Sequence, residues 1–90
     1  MELENLRCEI DKIDKEIIEL LWKRFVLVNN VAEYKKTNNL APFQASRWQN
    51  MLDERIRLGK QTSLPEELIV EIWEAIHKHA LNLEASIINK

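Results

Sequence analysis

Apolar residues recur at helical spacing along the first third of the chain: Ile10, Ile13, Ile17 and Leu20, then Val28 and Val31. This period predicts one amphipathic helix from about Leu3 to about Lys36, with no Gly or Pro inside it. Asn38, Asn39 and Pro42, in the stretch TNNLAP, are its stop and turn signals. A second helix is expected from about Ala45 to about Lys60, with Gly59 near its end in a capping role. A third begins at SLPEE, where Ser63 and Glu66 have capping-box spacing and Pro65 suits a first turn. It continues to about Asn89. No alternating run bounded by turn residues reads as a strand. The pattern predicts an all-α fold of three helices (long, short, long) in a single domain over residues 1–90.

Two cations interrupt the first stripe. Arg24 and Lys35 occupy positions where the period calls for apolar side chains. One turn on either side of Arg24 stand Leu20, Leu21, Leu27 and Val28. A guanidinium buried among them needs an anionic partner. Glu19 and Glu33 are not one turn away, so the partner is an acid from another helix or a bound anion such as a substrate carboxylate. Lys35 follows Arg24 by ~3 turns and points the same way, ~16 Å along the axis. Both side chains can converge on one small ligand; alone, Lys35 reads as a snorkelling lysine near a helix end. Arg7 lies at the edge of the stripe, ~25 Å from Arg24. A second chain running antiparallel would bring it close; otherwise it is a surface arginine, as Arg47 of SRWQNML could equally be. Glu84 has Ala80, Leu81, Ile87 and Ile88 around it on the third helix. Such neighbours favour the neutral acid, unless the end of the helix is frayed into solvent.

The length of the first helix adds a constraint. A helix of ~34 residues is ~50 Å long, more than the other two can cover. Ile18, Leu21 and Phe25 also broaden its apolar surface. A homodimer in which two long helices pack together answers both points; a larger hetero-complex is the alternative.

Composition narrows the classes of function. The chain has 90 residues, 46% of them hydrophobic, with one Gly, two Pro and a net charge of −2. A general nucleic-acid binder would normally be basic. The single cysteine, Cys8, permits no internal disulfide and fits a reducing cytoplasm. MELENLRCEID carries no apolar signal region, and no run approaches the ~18 apolar residues of a membrane span. His77 and His79 are two apart on a helix, face different ways and make a poor metal pair; both read as surface or interface residues. Trp22, Trp48 and Trp73 read as core or interface.

LRCEIDKIDKEIIELLWKRF resembles the opening helix of the all-helical chorismate mutases, with its Arg, its Ile-Asp pairs and its Leu-Leu-x-x-Arg. The likeness extends over essentially the whole chain, through the Lys35 region and the Pro-containing loop to the LGK closing the second helix. It implies an intertwined homodimer of three-helix chains that converts the small dianion chorismate to prephenate, a step expected to need no cofactor. It further implies that Arg24 clamps a substrate carboxylate and that Arg7 comes from the partner subunit. Lys35 would bond the ether oxygen and a carboxylate, and Arg47 would line the pocket. Glu84 stands where the bacterial family usually has Gln, as second donor to the ether oxygen; that role needs its proton and favours acidic pH.

Three positions depart from the family pattern. Trp48 stands where typical members have a Glu that accepts the ring hydroxyl, and an indole only donates. Gln44 is near a frequent Asp, and Ala80 replaces a frequent Ser. Trp48 therefore raises two related activities, isochorismate pyruvate-lyase (releasing salicylate) and 4-amino-4-deoxychorismate mutase. A helical dimerisation module without catalysis is the remaining alternative. Its cations would be interface salt bridges, and no small dianion would shift its melting temperature.

Overall fold

The computed structural model describes residues 2–89, and its described residues are all helix, turn and loop. Helix α1 spans Leu3–Thr37, α2 spans Ala45–Gln61 and α3 spans Glu66–Ile88. These bounds follow the hydrophobic period closely. Glu4 in the first turn of α1 and Lys35 and Lys36 in its last turn complement the helix dipole.

The chain ends α1 with a Schellman turn. Asn39 takes a left-handed conformation, φ 55°. The Leu40 N–H donates to the Lys35 carbonyl at 2.8 Å, and the Asn39 N–H to that of Lys36 at 3.4 Å, satisfying carbonyls that the helix itself leaves open. The Asn38 side chain adds a bond to the Tyr34 carbonyl at 2.8 Å.

The second turn corrects two expectations. Ser63 does not cap α3. It is the left-handed residue of a second Schellman turn, φ 61°, with the Leu64 N–H donating to the Gly59 carbonyl at 3.0 Å. Pro65 is the N-cap of α3, which has no side-chain cap bond. Gly59 lies within the last turn of α2 and does not supply the left-handed residue. Its role is steric: a Cβ there would lie 2.6 Å from Ile69 Cγ1. The missing side chain lets α2 and α3 approach closely.

Helix α3 packs closely against both α1 and α2, while α1 and α2 keep their backbones apart and meet through side chains such as Arg24 and Met51. The small core is Ala32 from α1, Met51 from α2, and Ile69, Ala80 and Ile87 from α3. The chain measures 55 × 24 × 14 Å. Its long axis is α1, ~52 Å of helix, and every described residue before Arg24 is exposed. Ile10, Ile13, Ile17 and Leu20, expected to face inward, are between 48% and 62% exposed. The stripe is therefore not covered by this chain's own fold, because α2 and α3 reach only its second half. Trp22, expected in a core or interface, is 66% exposed on the same helix.

Candidate active site

Where the second half of α1 meets α2 and α3, a cavity of about 330 Å³ opens. Helix α1 contributes Arg24, Val28, Val31 and Lys35. The α1–α2 loop contributes Pro42 and α2's N-cap Gln44. Helix α2 gives Arg47, Trp48 and Met51, and α3 gives His77, Ala80, Leu81 and Glu84. Seven of the eight residues singled out in the sequence thus line one cavity. Arg7 does not. It lies on the projecting half of α1, exposed and ion-paired to Glu4 at 2.9 Å.

Arg24 is half-buried, and no carboxylate pairs with it among the described residues. Its Nη1 is buried without any hydrogen-bond partner. Its Nη2 reaches only Met51 Sδ, at 3.9 Å, and a thioether is a weak acceptor. Burial, then Arg55, then Arg47 lower its pKa. Among the described residues no acid from another helix neutralises Arg24. A guanidinium held among like charges with an unused donor suits an incoming anion.

Lys35 is neither solvated nor snorkelling. Its Nζ donates to Glu84 Oε1 at 2.9 Å and to the Pro42 carbonyl at 2.7 Å. The contact joins α1, the loop and α3 at one point. Glu84 is only 6% exposed, so it is not a frayed terminal residue. In this structure its Oε1 accepts from the Lys35 ammonium.

His77, expected at a surface or interface, lines the cavity. Its ring stacks on Trp48, centroids 4.0 Å apart and planes 15° apart. Phe43 lies against it at 5.7 Å, tilted 57°. Burial lowers the His77 pKa, as do Arg24 and Lys35, while Glu84 opposes them. The imidazole is thus held toward its neutral form. His79 points away, into a separate groove with Leu21, Trp22, Phe25 and Ile76. Among the described residues no cluster of three or more His, Cys, Asp or Glu side chains could hold a metal. No helix there is long and apolar enough to cross a membrane.

His77 was within reach of the sequence. It stands one turn before Ala80 and Leu81 and two before Glu84, on one face of α3. Met51 and Arg55 gave no such signal: their relation to Arg24 arises only where α2 crosses above it.

A family described as chorismate mutase type II matches residues 6–85. A bifunctional chorismate mutase/prephenate dehydratase of Aquifex aeolicus is 36% identical over 89 residues, 96% of this chain and 25% of that protein. One from Buchnera aphidicola (subsp. Schizaphis graminum) is 34% identical, covering 99% of this chain and 23% of its own length. The chain thus spans about a quarter of the length of these relatives. A 4-amino-4-deoxychorismate mutase of Streptomyces venezuelae is 24% identical, over 99% of this chain and 86% of that protein. No solved structure matches the chain.

Proposed function

The chain belongs to the chorismate mutase type II family, and on that premise we propose that it rearranges chorismate to prephenate in this cavity. The observation that carries the reading is Arg24, a half-buried guanidinium with a free donor and no acid beside it. Arg24, Arg47 and Lys35 with one carboxylate, Glu84, leave two positive charges around the cavity. Chorismate brings two carboxylates. Holding both selects the folded conformer in which the enolpyruvyl arm lies over the ring, which removes much of the entropic part of the barrier.

The rearrangement breaks a C–O bond and places negative charge on the ether oxygen. Lys35 is fixed by two bonds and needs little reorganisation to meet that charge. Glu84 assists only as the protonated acid; as a carboxylate it would repel the oxygen. The step uses no covalent intermediate and no cofactor.

The working unit in this reading is a cytoplasmic homodimer in which residues 1–90 form one domain. The uncovered stripe from Ile10 to Leu20, with Trp22 and Phe25 beside it, is the kind of contiguous apolar surface that a partner covers. An antiparallel second copy would cover it and carry its own Arg7 toward the Arg24 cavity. A non-catalytic dimerisation module fits less well, because Arg24 and Lys35 face a cavity shared by all three helices.

Trp48 favours a second reading. It lines the cavity without offering an acceptor to a ring hydroxyl, which suits isochorismate (with pyruvate release and salicylate formation) or the 4-amino analogue. A paired assay of the purified protein on chorismate, isochorismate and the amino analogue separates these. Prephenate as the main product is expected. Efficient salicylate formation, or turnover of the amino analogue alone, would replace the reading.

A further inference from the structure

His77 is a polar residue of the cavity that the proposed chemistry leaves unused. Trp48 and Phe43 set the plane of its ring. No hydrogen bond engages either of its nitrogens among the described residues. Most other polar groups of the cavity cannot accept. Arg24, Arg47, Lys35 and the Trp48 indole are donors only, and Glu84 accepts from Lys35 through one oxygen, Oε1. Gln44 is exposed at the rim. A ligand ring bearing an O–H or N–H group would therefore meet mostly donors, with His77 as the acceptor held beside the Trp48 ring.

The protonation state fits an acceptor. Charged groups face His77 from each side: Glu84 along its own helix, Arg24 and Lys35 from α1, and Arg47 from α2 around the same cavity. Glu74 and Lys78 flank it along the outer groove. Contact with an indole face and the charge of Glu84 both favour an imidazolium. Burial and the two α1 cations act against it, and their net effect is a lowered pKa. At neutral pH the ring thus keeps one nitrogen lone pair for a donor.

We propose that His77, held flat on Trp48, is the specificity-determining acceptor for a hydrogen-bond donor on the ring of the bound dicarboxylate. The inference rests on the mutase reading for the identity of that ligand. The class is a cyclohexadiene dicarboxylate with a ring hydroxyl or a ring amine. Both substituents donate, so the acceptor serves either, and the two are told apart by comparing them directly.

The test uses the full chain, with His77→Leu and His77→Asn, on chorismate, on its amino analogue and on an analogue lacking the ring substituent. Circular dichroism and melting establish that each variant is folded. Loss of one hydrogen bond that leaves a buried donor unpaired corresponds to roughly 5- to 150-fold. H77L is expected to lower kcat/KM on the substituted ligand it prefers within that range. Turnover of the unsubstituted analogue should change by no more than ~2-fold, and H77N, which keeps an acceptor, should recover part of the loss. The wild-type preference for the substituted ligand should shrink as pH falls through the His77 titration, and the H77L preference should not. Equal losses on all ligands, or no loss, would overturn the assignment. Calorimetric binding of the same ligands distinguishes this failure from failure of the mutase reading. If the wild type forms no prephenate yet binds the substituted ligands more tightly, and H77L does not, His77 stands without the mutase. Binding without discrimination, or no binding, overturns the proposal.

Discussion

Replacing Arg24 by Leu separates stability from function in one experiment. In the native chain Nη1 is buried without a partner, a condition that costs on the order of 1–3 kcal/mol. Arg47 and Arg55 add like-charge repulsion. A leucine at that position sits among Leu20, Leu21, Leu27, Val28 and Met51, and a carbon side chain there leaves no donor unpaired. Part of the gain is lost because leucine is shorter than arginine and the site is only half-buried. The net expectation is a stabilisation of ~1 kcal/mol, or a rise in Tm of ~4–8 °C for a domain of this size. Activity moves the other way. Charge-assisted hydrogen bonds to a carboxylate are worth ~1.5–3 kcal/mol each, so kcat/KM should fall roughly 100-fold or more. Scanning calorimetry at one fixed protein concentration reads the first effect, and prephenate formation reads the second. Chorismate at ~100 times its Kd should stabilise the wild type by ~2.7 kcal/mol and R24L far less. A variant that melts several degrees lower while keeping its kcat/KM would refute the reasoning. It would mean that Arg24 is neutralised by an acid across a subunit interface and that the ligand binds elsewhere.

Gly59→Ala should destabilise the fold, because overpacking against Ile69 costs ~1–3 kcal/mol and exceeds the ~0.5–1 kcal/mol that alanine gains within a helix. Urea denaturation reads the difference, and Ile69→Val in the same chain should return part of it; a more stable G59A would show that α2 and α3 can separate freely. Glu84→Gln should flatten the alkaline side of the pH–rate profile, since an amide donates at every pH; an unchanged profile removes Glu84 from the chemistry. Arg7→Ala and Arg24→Ala chains, each inactive alone, should regain activity when mixed and allowed to exchange. Random pairing restores about a quarter of the sites if each combines Arg24 of one chain with Arg7 of the other. Failure to regain activity in verified mixed dimers would place Arg7 outside the site.

The helices could be read from the sequence because each is set by information local to it: a period of apolar residues and a pair of stop signals. Lys35, Glu84 and Arg24 were legible for the same reason, since a charge within an apolar stripe stands out against its own helix. What those charges touch was not legible. Lys35 and Glu84 meet only through the crossing of α1 and α3, which no local pattern announces. Gly59 was misread because a glycine near a helix end usually serves the backbone, whereas here it serves the approach of Ile69 from another helix. Ser63 then took the left-handed position, and with it the capping role predicted for its side chain disappeared. His77 was set aside because it was weighed against His79, two residues away on another face, and not against Glu84, two turns away on its own. A cavity at a three-helix crossing is assembled from one face of each helix. Grouping charged, aromatic and small residues by face therefore recovers more of it than judging each polar residue against its nearest neighbour in the chain. The projecting half of α1 marks the boundary of that approach, since its stripe is legible but the described residues leave it exposed.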